Sequence, residues 1–343
     1  MKLNNRLLKA VFEIQNPSEN KRCNDHAMKV ITSLAPKGCT IVRKSGNLLI
    51  RKGGPTGPHP YFLAHMDQVH NYEPFMQLRL HDGVLSALDG NDKQCGVGGD
   101  DKCGIYLALA MLHELDHCTA VFVRDEEIGC LGSGSVPLTW FDHAAFVVQS
   151  DRNNRTFDVI RDTNGMTCAS DEFIAAVLAL PQASRHSENT GSITDIGELA
   201  CRGLEVSMIN ISSGYHDPHT SKEVVVLDEL LISCELALAI ARTMGDYKWS
   251  HKPTSSWHNY YSKDYKWIPY SKSDDWSIDP PLAKHDADYG GYRETLYRQL
   301  EENGLCREFD MLDKWTLEDL ENELLYIEMN AELVEQEESL AAH

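Results

Sequence analysis

The run YFLAHMDQVH (61–70) decides how the rest of the chain reads. Four apolar residues lead into His65, as expected of a strand buried on both faces rather than one with a wet side. The run closes on His65-x-Asp67, two residue types that ligate metals or move protons. Downstream the same grammar repeats. GVGGDDKCG (96–104) is a Gly-rich turn that opens a helix and delivers Asp100 and Asp101. AVFVR (120–124) ends in Asp125, Glu126 and Glu127, and AAFVVQS (144–150) ends in Asp151. LEVSMINI (204–211) is followed by GYHDPH, which carries His216 and His219. Each polar set lies just past the C-terminal end of a strand or at the start of a helix, where open α/β sheets place their sites.

Between these strands lie helical patterns at Lys102 to Leu115, Ser170 to Leu180 and Leu227 to Met244, and further strands at CTIVR (39–43) and NLLI (47–50). Ser18 is placed to cap a helix reaching Ala35. Strands alternating with helices predict a three-layer α/β sandwich with a central, mostly parallel mixed sheet flanked by helices.

The residue types define the chemistry. Two divalent cations of borderline hardness take imidazole nitrogens and carboxylate oxygens. A single carboxylate must bridge them if both are to grip one oxygen. Adjacent glutamates can divide the work, one ligating metal and the other taking a proton, and an HxD pair can fix the imidazole tautomer. A more familiar metal motif, H-E-x-x-H at His113 to His117, is rejected. The strand TAVFVR begins at Thr119, so His117 falls at or beyond the end of the helix that the motif requires.

AHMD, GVGGDDKCGI, RDEEIGCLGS, QSDR and HDPHTSKEVV together resemble the co-catalytic di-zinc exopeptidases, from about Gly38 to Gly245. That superfamily includes peptidase T, carboxypeptidase G-like enzymes and single-domain zinc aminopeptidases. The resemblance implies a phosphorylase/hydrolase-like fold and two metal ions, zinc first, with cobalt or manganese as alternatives. His65, Asp100 and Asp151 would hold one ion, and Asp100, Glu127 and His219 the other. Asp67 would orient His65, and Glu126 would be the general base for attack by a metal-bridged water. His219 is preferred to His216 because HTSKEVV resembles the family's closing motif. Only 68 residues separate Asp151 from His219, and 35 separate His65 from Asp100. Neither gap holds the extra domain that relatives insert there, so no lid domain is expected. The layout therefore favours an aminopeptidase. A tripeptidase, carboxypeptidase or deacylase, a cyclase-type transferase, and a catalytically silent scaffold are the rival readings.

Composition narrows the partners. The chain has 343 residues, with 32 Lys+Arg against 52 Asp+Glu and a formal charge of −20. Such an acidic excess argues against nucleic acid and anionic membrane surfaces and leaves a peptide as the expected partner. The first twenty residues hold no continuous apolar stretch, so no signal peptide is read and a cytoplasmic protein is expected. The ten cysteines form no regular framework and are read as small buried hydrophobes. The peptidase domain is drawn at 1–245, a Trp/Tyr-rich extended segment at 246–290 and an acidic helical segment at 291–343. In the last, Thr316 and Asp319 fit a capping pattern, and Leu317, Leu320, Leu324, Ile327 and Leu333 form a stripe. That stripe would either dock on the domain or build a homo-oligomer.

Overall fold

Cys118–Val123, His59–His65, Ala144–Arg152 and Met208–Ser212 lie side by side and parallel at the centre of the fold. A computed structural model describes residues 1–54, 56–153, 156–163 and 165–255. The parallel centre is flanked by antiparallel neighbours. On one side run Asn47–Lys52 and Thr40–Lys44; on the other run Asp158–Thr163, Met166–Thr167 and Thr254–Ser255. Ser187–Thr190 adds to Asp158–Thr163 in parallel. Every residue of His59–His65 and Cys118–Val123 is buried, which explains why both read as apolar runs.

Period-two alternation sends successive side chains into two cores. Phe62, Ala64, Ala120, Phe122, Phe146 and Val148 face the helices Asn5–Phe12, Lys21–Leu34, Gly99–Glu114, Asp171–Leu178 and Leu227–Met244. Tyr61, Leu63, Val121, Val123 and Val147 face the helix Asp195–Cys201 and the 3-10 turn Leu138–Phe141. The result is the expected helix–sheet–helix sandwich. Of the elements between Asp151 and His219, all but Tyr215–His216 join or pack against this sheet, and no separate lid stands among the described residues.

Three local expectations shift. The second helix is Lys21–Leu34, capped by Asn20, whose side chain accepts from the Cys23 amide at 3.0 Å. Ser18 is engaged elsewhere, as described below. The strand expected from Leu204 begins at Met208. The stretch between His65 and Asp100 builds a small second sheet from Gln77–His81, Val84–Leu88 and Gln94–Cys95, completed by Tyr215–His216 and Val224–Val226. That sheet joins the two ends of the candidate site, because its strands come from just before Asp100 and from either side of His219.

Past residue 245 the chain still belongs to the sheet. The Trp249 amide donates to the Ala145 carbonyl at 2.8 Å, and the Trp249 ring lies 5.3 Å from that of Phe173. The remainder of the aromatic segment, the 291–343 segment with its leucine stripe, and Cys306 lie outside the described residues. The nine described cysteines form no disulfide with one another. No helix among the described residues is long and apolar enough to cross a membrane.

Candidate metal centre

His65 ends a central strand with its side chain fully enclosed. Its Nδ1–H donates to the Asp67 carbonyl at 3.0 Å, and a carbonyl can only accept. Nε2 is therefore the nitrogen presented to the site, 3.0 Å from Asp100 Oδ1 and 3.6 Å from Asp151 Oδ1. The Asp67 carboxylate lies 3.4 Å from His65 Nδ1. It accepts from the Glu126 amide at 2.9 Å, the Glu127 amide at 3.3 Å and the Ser18 hydroxyl at 2.8 Å. Burial works against ionised Asp67, but His65 and these donors outweigh it and hold the carboxyl below its ordinary value. One buried carboxylate thus ties the histidine to the backbone of the paired glutamates.

Asp100 is delivered by the Gly-rich turn. Gly98 has a left-handed φ of +66°, and a Cβ there would meet Gln68 Oε1 at 2.8 Å. At Gly99 a Cβ would fall 2.7 Å from Tyr215 Cβ. Asp100 and Asp101 keep non-helical dihedrals, so regular helix starts at Lys102, and Asp101 Oδ1 accepts from the Gly104 amide at 2.9 Å as its cap. The two Asp100 oxygens face different histidines. Oδ1 meets His65 Nε2, and Oδ2 lies 3.2 Å from His219 Nε2. His219 Nε2 is also 3.1 Å from Glu127 Oε2. On the other side, Asp151 Oδ2 accepts from Gln149 Nε2 and Thr194 Oγ1, each at 3.2 Å, and Oδ1 accepts from the Tyr215 hydroxyl at 3.3 Å.

His65, Asp67, Asp100, Glu126, Glu127, Asp151 and His219 are thereby gathered in one place. His216 is paired with Glu229 at 2.6 Å instead. The rejected H-E-x-x-H pair is split, because the helix ends at Glu114. His113 Nε2 bonds the Leu34 carbonyl, while His117 stacks on His59 at 4.0 Å.

The chain pattern alone did not reveal a fully buried glutamate, Glu223. It accepts from the Gly98 amide at 2.7 Å and the Asp100 amide at 3.1 Å, and it lies 2.8 Å from His70 Nε2. The only available signal was a glutamate set directly before three valines. Glu223→Leu would strand two amides in a buried site and is expected to cost about 2–6 kcal/mol of stability. Glu223→Gln, which keeps an acceptor oxygen, should recover part of this; denaturant titration of both variants reads the difference.

Burial and crowding push the carboxyls apart in acidity. Burial raises Glu126 well above its ordinary value, and the carboxylates of Asp151, Asp195 and Asp100 add to the effect against His65. Burial, reinforced by Asp100, lifts Glu127 to about 8 and Asp151 to about 6. The Asp100 contact raises His219 to about 9. Asp100 moves the other way: burial opposes ionisation, but His219 and His65 hold it far below the carboxylate range.

The donor set fits divalent cations. His65, Asp100 and Glu127 offer ligand atoms all within 4.8 Å of one another, and so do His65, Asp101 and Asp151. Two buried oxygens, Glu127 Oε1 and Asp101 Oδ2, have no hydrogen-bond partner. Orphaned carboxylate oxygens are rare in folded proteins, and a cation could satisfy both.

No protein-family model matches the chain, and no curated protein sequence does. Solved structures do. Aminopeptidase PepT from Bacillus cereus matches with a TM-score of 0.53 at 14% identity, over 69% of this chain and 96% of that one. An aminopeptidase from the archaeon Desulfurococcus kamchatkensis gives 0.53 at 14% identity, over 71% and 96%. A tripeptidase from Staphylococcus aureus gives 0.53 at 14% identity, over 70% and 97%. Across so little shared sequence it is the architecture that is common, and this chain has the α/β fold of these aminopeptidases and this tripeptidase.

Proposed function

We propose that this chain is a metal-dependent exopeptidase that removes single residues from unblocked N-termini. The observation that carries this reading is Asp100, whose two oxygens face His65 and His219, with Asp151 beside the first histidine and Glu127 beside the second. In this reading His65, Asp100 and Asp151 hold one divalent ion, and Asp100, Glu127 and His219 hold a second. Zinc suits the mixed nitrogen and oxygen donors, as do cobalt and manganese. Such ions polarise a scissile carbonyl and acidify water.

The protein's own residues handle the proton. A Glu126 carboxylate oxygen takes it from the attacking water and returns it to the leaving amine nitrogen. A buried glutamate with a raised proton affinity suits both halves of that task. Asp67 fixes where the base stands, since it accepts from the Glu126 amide. The solved relatives are named as aminopeptidases and a tripeptidase, which supports a peptide substrate.

An N-terminal ammonium is matched by the carboxylates that dominate the site. With metal supplied, unblocked peptides are expected to lose residues stepwise from the N-terminus. Their N-acetylated forms should react about 10²-fold more slowly, the cost of one lost charged hydrogen bond. Mass spectrometry of a peptide digest reads both. Efficient cleavage of acetylated peptides, or release from the C-terminus, would replace this assignment with a deacylase or carboxypeptidase.

A further inference from the structure

A cleft opens directly beside Asp151. It is lined by Asp151, Arg152, Ile160, Ile193, Thr194 and Asn210, together with the Gly191–Ser192 turn, and holds about 240 Å³ of empty space, part of it open to solvent. Its chemistry differs from that of the rest of the site, which is built from carboxylates. Ile193, a large apolar residue left 69% exposed, stands at the rim, while Ile160 is buried beneath the Gly191 turn. Arg152 supplies the cation.

The guanidinium is held rather than loose. Arg152 Nε donates to Asp158 Oδ2 at 3.2 Å, and the Asp158 side chain is almost fully buried. Asp158 Oδ1 in turn accepts from Thr156 Oγ1 at 2.8 Å and Asn189 Nδ2 at 3.3 Å, so the same carboxylate holds the loop that forms the far wall. Only one edge of the guanidinium is used in this way. Its terminal nitrogens make no hydrogen bond among the described residues, and the side chain remains 30% exposed. An arginine with one edge anchored and a free terminal pair is arranged to receive a second carboxylate in a planar fork. Gly191 keeps the far wall close, since a Cβ there would lie 2.7 Å from Ile160 Cγ2.

We infer that this cleft is a substrate subsite for a carboxylate, and that Arg152 gives the enzyme a preference for peptides whose N-terminal residue is Glu or Asp. The inference rests on the exopeptidase reading above. The cleft adjoins Asp151, so it lies next to the scissile bond, within reach of the side chain of the residue being released. The methylenes of a Glu side chain would lie against Ile193 at the rim, with its carboxylate on Arg152.

Aminoacyl-4-nitroanilides carry no terminal carboxylate and so isolate the side-chain contribution. The metal-loaded full chain is expected to hydrolyse Glu-anilide with a higher kcat/KM than Leu- or Lys-anilide. Arg152→Gln should lower the Glu-to-Leu ratio at least 10-fold, and Arg152→Glu should turn the preference toward Lys. Arg152 also contacts Asp158, so a second variant guards against misfolding. Ile193→Glu changes an exposed rim residue and should lower the same ratio by like-charge repulsion. A parallel arm compares Leu-Gly with Leu-Gly-amide. If Arg152→Gln penalises only the free acid, the carboxylate read by the cleft is the terminal one, and the subsite stands with that source. A wild type that prefers Leu-anilide, with ratios unmoved by all three variants in both arms, overturns the subsite alone. A wild type inert on every unblocked substrate overturns the exopeptidase reading with it.

Discussion

Glu126→Gln is expected to lower kcat by about 10²- to 10⁴-fold while the protein still binds its full complement of metal. Gln keeps the size and the backbone contact of Glu126 to Asp67, so geometry is preserved and only the proton acceptor is lost. The neighbouring change should behave differently. Glu127 Oε2 lies 3.1 Å from His219, and Oε1 is buried without a partner, so Glu127→Gln should weaken metal binding as well as turnover. Metal analysis beside steady-state kinetics separates the two. If Glu126→Gln turned over near the wild-type rate, the division of labour between the adjacent glutamates would be wrong.

The paired glutamates show which part of the site is legible along the chain. His65, Asp100, Glu126, Glu127, Asp151 and His219 follow strands or open a helix, and that position marks them one by one. The groups that hold them leave no such mark. Glu223, Thr194 and Asn210 are buried polar residues, and their partners are 125, 43 and 59 residues away in sequence. Only folding brings a donor to each acceptor, so no local spacing announces them. Ser18 is a sharper case. It resembles a helix cap, but Asn20 takes that role, and the Ser18 hydroxyl serves Asp67 49 residues further on. Ser and Asn are both good caps, so local propensity does not choose between them.

The sheet is legible for a related reason. Central strands are buried on both faces, and YFLAH and AAFVVQS report that directly. The small sheet is short and half exposed. In Gln77–His81 every residue is at least partly exposed, and Val84–Leu88 alternates weakly between buried and partly exposed, so neither rises above a loop in the sequence. Yet this sheet links the Gly98–Asp100 turn to the chain around His219, through strands that precede the turn and strands on either side of His219. Here the pattern loses an element that the site depends on, because what buries it is tertiary.

Asp100→Ala is expected to abolish binding of both metal ions and to reduce hydrolysis to background, a larger loss than at any single-ion ligand. The reason is geometric. Asp100 alone presents one oxygen toward His65 and the other toward His219, so its removal takes a donor from each proposed ion. Asp151→Ala removes a donor only from the His65 side, and should leave one equivalent bound. Calorimetry adds a second reading through protons. At pH 7 His219, lifted to about 9 chiefly by Asp100, and Glu127, lifted to about 8 by burial, both carry protons that ligation must expel. Metal uptake by the wild type should therefore release more than one proton, and affinity should fall as pH drops toward the Asp151 value of about 6. Titrations in buffers of different ionisation enthalpy count these protons. Binding also stabilises the folded state, by about 2.7 kcal/mol per site at 100 times Kd, so the wild-type melting temperature should rise with added zinc. In Asp100→Ala neither proton release nor thermal shift should appear. If that variant still took up two equivalents, Asp100 would not be the bridge, and the second cluster of His65, Asp101 and Asp151 would have to hold its ion without it.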